Sequence, residues 1–248
     1  MRGNRLAFVT AFAGVALLPW AALAQEATES KPSVDAWYVW SLSGKPGGYF
    51  HVVKKPSGQD AASVLFVHDF RINWKGQRVC LRTHTYCKDD PYFTPVRIVS
   101  GGEGEEATNM DVTIERPAEG PSAGKLKTTV RGRAIEIDIP EHTVTDFVLF
   151  EIVRTRPFDK EKVFEFNSLE ASELNLKRDH KVVYVGREEV EIEGQKQSLH
   201  KFEQSGKGIR PAYYWVNDDR QLVRVLMDER KEFLLSTQEK ALSAFKAE

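Results

Sequence analysis

The segment VLFVHDFRINW, residues 64–74, places Phe66, His68, Phe70, Ile72 and Trp74 on one face at a repeat of two. That repeat belongs to a half-buried strand, because successive side chains of a strand point to opposite faces. The same signature returns along most of the chain. AWYVWSL (36–42), YFHVVKK, QRVCLRTHTYC, FTPVRIVS, NMDVTIE, KLKTTVRG and RAIEIDI are short runs rich in β-branched and aromatic residues. Turn chemistry separates several of them: SGKPGG, Lys75-Gly76 and the loop GGEGEE at 101–106. Farther on, VVYVGREEVEIEGQKQSLHKFEQ reads as a long hairpin about Glu193-Gly194, and AYYWVNDDRQLVRVLMDERKEFLLS as a meander with polar turns at 217–220 and 228–231. The expected fold is mainly β (α+β): a large curved antiparallel sheet or open barrel of roughly ten or more strands.

Two segments break the period. From Val144 to Val153, seven of ten residues are apolar, interrupted by Asp146 and Glu151. Thr143-x-x-Asp146 resembles a capping box, and Pro157 lies beyond the end. A helix over 143–154, apolar on nearly every side, has to be buried. It is expected against the concave face of the sheet, with Phe147, Val148, Phe150 and Ile152 inward. A fully buried strand is the competing reading of so short an apolar run. Ser236-x-x-Glu239 opens a short C-terminal helix through Ala241, Leu242 and Phe245.

The N-terminus carries Arg2 and Arg5, an uncharged run from Leu6 to Trp20, and Ala22-Leu23-Ala24, a small-x-small cleavage pattern. Residues 1–24 read as a secretory signal peptide, 25–35 as a polar disordered linker, and 36–248 as a single antiparallel β domain. A retained anchor is the alternative, since the 19 residues from Leu6 to Ala24 come near spanning length. Cleavage leaves 33 basic against 36 acidic residues, a formal charge of −3 with no basic patch, so nucleic acid is not an expected partner. No other apolar run approaches membrane length, so no membrane span is expected once the signal is removed. The expected location is periplasmic or secreted.

Candidate chemistry is sparse. Cys80, His84 and Cys87 form C-x3-H-x2-C, which on a helix would place three metal ligands on one face. The segment is strand-like, however. Cys80 and His84 then lie about 13 Å apart at 3.3 Å per residue, and Cys87 points to the other face, so no metal is expected there. A disulfide would need a reversal within LRTHTY, which has no Gly, Pro, Asn or Asp; two free thiols are expected. Ser122-x-x-Lys125 matches a Ser–Lys nucleophile spacing but sits in the turn PSAGK, where no helix brings the pair together. The six histidines are scattered. The loop at 101–106 lacks the alternating carboxylates of a calcium loop. No catalytic residue, metal or cofactor follows from these patterns, and a non-enzymatic role is favoured over a hydrolase whose site is assembled from separate strands.

WYVWSLSGKPGGYFHV, YVGREEVEIEGQKQSLHKFEQ and YYWVNDDRQLVRVLMDERKEFLLS resemble a family of uncharacterised exported bacterial β-rich proteins, most closely over 184–236. The architecture is similar to the LolA-type periplasmic open barrel, a curved antiparallel sheet around helices. The resemblance implies a fold and transfers no activity. A sheet curved around an apolar helix can hold a cleft, and Phe147, Phe150, Tyr213 and Trp215 are the expected walls for a lipid or other apolar ligand. Core packing is the competing reading of each. An envelope protein recruited by exposed sheet edges or the acidic loop is the alternative partner.

Overall fold

The computed structural model describes residues 31–58, 63–103, 109–116, 123–130 and 133–246. The expected signal segment and most of the linker lie outside these residues, as do Ser122 and the tip of the 101–106 loop. Fifteen strands run in chain order: β1 (Val34–Leu42), β2 (Lys45–Pro56), β3 (Ser63–Trp74), β4 (Gln77–Lys88), β5 (Pro95–Glu103), β6 (Met110–Glu115), β7 (Gly124–Val130), β8 (Arg133–Ile139), β9 (Thr143–Thr145), β10 (Phe164–Glu170), β11 (Asn175–Ile192), β12 (Gln195–Gly206), β13 (Ala212–Val216), β14 (Leu222–Met227) and β15 (Lys231–Ser236). A 3-10 turn (Asp146–Val148) and helix α1 (Leu149–Thr155) follow β9, and helix α2 (Gln238–Lys246) follows β15. β1 begins two residues before the expected domain start at Ala36.

All fifteen strands form one sheet, β8-β7-β6-β5-β4-β3-β2-β1-β15-β14-β13-β12-β11-β10-β9, antiparallel except for the β9–β10 pair. It curls into a nearly closed barrel. The two ends of the sheet meet through side chains. β9 lies beside β5, and Leu169 and Leu174 pack with Ile98, Val112, Leu126 and Ile139 of β5–β8.

The hairpins explain much of the register. Lys75-Gly76 and Glu193-Gly194 both take positive φ at both positions (51° and 77°; 50° and 79°), the two-residue turn whose twist matches paired strands. Within SGKPGG only Ser43-Gly44 turns the chain; Lys45 to Gly48 already belong to β2. Gly48 serves close approach instead, because a Cβ there would fall 2.1 Å from the Arg71 carbonyl oxygen. The face expected from residues 64–74 is the interior one: Phe66 lies in the core, and Phe70, Ile72 and Trp74 pack against it. Cys80 and Cys87 are free thiols on the continuous strand β4, with Cys87 fully buried.

The apolar segment after Thr143 departs from the expected helix. Thr143–Thr145 is a buried parallel strand opposite Asn167–Leu169. The Thr143 hydroxyl donates to the Pro140 carbonyl (2.7 Å) and caps nothing. Helix begins only at Leu149. Buried parallel strands and buried helices share an unbroken apolar run, so a Thr-x-x-Asp start alone misplaces the boundary. Val148, Phe150 and Ile152 are buried as expected, while Phe147 is only half-buried. At the C-terminus the cap is Thr237, whose hydroxyl accepts from the Lys240 N–H (3.3 Å), since Ser236 still belongs to β15. α2 packs on the outside of β1 and β2, with Phe245 edge-on to Tyr49 at 5.9 Å.

Candidate functional site

In an antiparallel meander alternate turns fall at the same end. The turns after β1, β3, β10, β12 and β14 ring one end of the barrel, and those after β2, β4, β11 and β13 lie at the other. α1 lies inside the second end and closes it. Phe150 stands edge-on to Tyr38, Phe50, Tyr214 and Phe233, with centroids 5.5–6.1 Å apart. Glu151, 5% exposed, accepts from Lys54 Nζ at 2.9 Å and from Arg154 Nη2 at 2.8 Å, tying the helix to β2. The segment after α1 continues over the inner faces of β11 and β12 at this end. Phe158 stacks on His200 at 3.4 Å, and the Arg220 guanidinium sits 3.6 Å from the Phe158 centroid.

The first end is open. Between the sheet and the 3-10 turn lies a cavity of about 1060 Å³, at the upper end of the ~300–1,000 Å³ of small-molecule sites. Its walls differ. Trp40, Phe70, Ile72, Leu81, Phe147 and Phe233 make an apolar side, tiled by Phe70 on Trp40 (6.3 Å), Phe147 (5.9 Å) and Phe233 (6.0 Å). Asp146, Ser168, His180, Gln204 and Tyr214 make a polar side on β10–β13 and the 3-10 turn. At the mouth, Lys177 pairs with Glu170 (3.2 Å) and Lys231 with Asp228 (3.1 Å).

The polar side is wired by register. Tyr214 lies opposite Phe202, two residues from Gln204 on the same face of β12, and its hydroxyl donates to Gln204 Oε1 at 2.5 Å. The Gln204 amide nitrogen lies 3.3 Å from His180 Nδ1. Gly206, paired with His180, leaves room for the imidazole, since a Cβ there would come within 2.4 Å of the ring. Burial, with Lys177 nearby, holds His180 below the ordinary imidazole range, and burial lifts the Tyr214 hydroxyl well above its usual value. Asp146 is surrounded by protein yet keeps some surface toward the cavity. Burial pushes its carboxyl up to about 7, aided by the Glu170 carboxylate and opposed by backbone N–H groups of Phe147 and Ala171.

Of the four aromatics expected as walls, Phe147 lines the cavity and the other three do not. Phe150 fills the closed end. Tyr213 and Trp215 face outward, because the interior face of β13 carries Ala212, Tyr214 and Val216. Trp215 is nevertheless 4% exposed, covered by Lys201 and Arg224, with its indole N–H donating to Glu188 (2.7 Å). Reasoning from sequence missed Asp146, Gln204, His180 and Tyr214 as a group, since the register that joins them leaves no motif.

The His–carboxylate meetings lie elsewhere. His51 is 2.8 Å from Asp35 and stacks on Trp37. His200 sits between Asp218 (2.9 Å) and the Tyr184 hydroxyl (3.0 Å), beneath Phe158. The His200 hydrogen bond, with Arg187 beside it, holds the Asp218 carboxyl below its usual range. Neither histidine lines the cavity. Among the described residues His68 and His84 have no such partner: burial drives them down to about 3 and about 4, and His68 lies between the Phe50 and Phe66 rings.

Comparison with known proteins gives this architecture a family. A family described as "Protein of unknown function (DUF3108)" matches residues 59–233, most of the chain. The chain belongs to the DUF3108 family. A solved structure of a β-barrel-like protein of domain of unknown function DUF1849 from Brucella abortus is similar to it, with a TM-score of 0.52 and 12% identity over 82% of this chain and 95% of that one. At that identity the likeness concerns the fold alone. No curated protein matches the sequence. Within this DUF3108 chain no described helix is long and apolar enough to cross a membrane.

Proposed function

We propose that this DUF3108 protein is an exported binding protein that holds one amphipathic small molecule in the open end of its barrel. The observation that carries the reading is the cavity of about 1060 Å³ with one aromatic side and one hydrogen-bonding side. Protein interiors are close-packed, and a void of this size in a core of Phe, Trp and Leu forgoes dispersion contacts that a bound apolar body restores. A few placed polar groups in a mainly apolar cleft orient such a body. Export to the periplasm or outside the cell rests on the charged, apolar and small-x-small succession of residues 1–24.

Native mass spectrometry of protein purified from its own cell envelope tests this. The expected result is one co-purifying small molecule per chain. Its removal lowers the melting temperature and its return restores it, the stabilisation being roughly 2.7 kcal/mol at a ligand concentration of 100 Kd. A chain with no bound molecule, whose crosslinking recovers a protein partner, overturns the binding reading.

A further inference from the structure

We propose that the polar side of the cavity receives a cationic, hydrogen-bond-donating head, an alkylamine in its simplest form, and disfavours a carboxylate. The inference rests on the binding reading above and specifies its ligand. Three observations support it. Asp146 is the one ionisable acid on the inner polar side, and its hydrogen bonds come from backbone N–H groups, with no lysine or arginine among the groups that act on it. Tyr214 spends its proton on Gln204, so its oxygen faces the neighbourhood of Asp146 as an acceptor. The remaining imidazole, His180, is held toward its neutral form by burial and Lys177. The inner wall thus offers one carboxylate and the Tyr214 oxygen as acceptors, with no fixed positive charge; the neutral His180, which accepts the Gln204 amide proton at Nδ1, is a donor at Nε2. A carboxylate head placed there meets Asp146 as a like charge in a poorly solvated site, whereas an ammonium supplies the missing counter-charge. Of the cations at the mouth, Lys177 pairs with Glu170, Lys231 with Asp228, and Arg78 lies over the Phe245 ring; none of these, nor Arg210, is among the groups that act on Asp146.

The test is displacement of the neutral probe N-phenyl-1-naphthylamine from the purified protein by dodecylamine, dodecanol and dodecanoate, at pH 8 and at pH 5. Dodecylamine is expected to displace the probe at a concentration about tenfold or more below dodecanoate at pH 8, the margin of one charge-assisted hydrogen bond. Asp146→Asn removes that preference, dodecylamine losing its margin over dodecanoate. The wild-type protein gives a second readout that does not depend on the variant folding. The groups that act on Asp146 or feel its charge are Glu170 on β10 and Tyr214 on β13, and His180 and Lys177 on β11 and Arg210 line the same cavity; Asp146 is the one placed to change charge near pH 7. Dodecylamine affinity should therefore fall from pH 8 to pH 5, while dodecanol affinity stays level. Dodecanoate binding as tightly as dodecylamine, or an amine affinity that is flat with pH, overturns the head assignment and leaves the cavity reading standing. Failure of the probe and of all three amphiphiles to bind overturns both.

Discussion

The two ends of this barrel are built from the same strands, and one is filled while the other is hollow. At the closed end the interior residues of β1, β2 and β15 meet α1, and Phe150 stands among four aromatic rings. At the open end the interior residues of β1, β3, β4 and β15 meet a cavity, with Phe147 the last ring before it. Phe150 stands three positions after Phe147, less than one helical turn. The alternation of each strand specifies which side chains point inward; the short helix specifies how far along the barrel they find a partner. A core and a binding cavity are thus the same inward face with and without a plug.

The largest effect is expected at the plug. Phe150→Ala removes a side chain 3% exposed and should cost about 4 kcal/mol by denaturant unfolding; a cost below about 1 kcal/mol would mean the closed end is loosely packed. Glu151→Ala strips Lys54 and Arg154 of their shared carboxylate and should cost about 3 kcal/mol, since part of each cation still reaches water. Asp146 should behave oppositely. Its folded pKa, about 7, lies above the ordinary carboxylate value, so the folded state favours the protonated form. The stability this contributes is complete below the unfolded pKa and is lost as pH rises through about 7. Asp146→Asn should therefore unfold with little pH dependence between 5 and 8 where the wild type loses stability, and be the more stable protein at pH 8 by roughly 2 kcal/mol. Acidic residues that oppose folding in this way are found at sites kept for binding. Phe147→Ala should cost only about 1 kcal/mol, because its far side already faces the cavity, yet it should weaken probe binding. Equal costs at Phe147 and Phe150 would erase the distinction between the two ends.

The sequence and the structure agree where one principle acts alone. Alternation in residues 64–74 and the positive-φ pairs Lys75-Gly76 and Glu193-Gly194 placed strands and hairpins, and strand geometry separated Cys80 from Cys87. Agreement stops where two elements share a pattern. Thr143–Thr145 is strand and Leu149–Thr155 helix within one apolar run, and nothing local marks the change. On β13 both faces carry aromatics, because Lys201, Arg224 and Glu188 cover Trp215 outside while the core covers Tyr214 inside. Period two then has no parity to read, and Tyr213 with Trp215 lie on the outer face while Tyr214 faces inward. Asp146 looked like a helix cap and Glu151 like an interruption. The first faces a cavity and the second anchors the plug, roles that only long-range pairing assigns.

The binding role proposed for this protein requires that the open end take a ligand. Titration of the purified protein with N-phenyl-1-naphthylamine measures this directly. One saturable site per chain is predicted in the wild type, lost in Leu81→Trp, which places an indole in the cavity, and kept in Tyr213→Ala on the outer face. A protein with no saturable site, or one whose site survives Leu81→Trp and disappears in Tyr213→Ala, contradicts it.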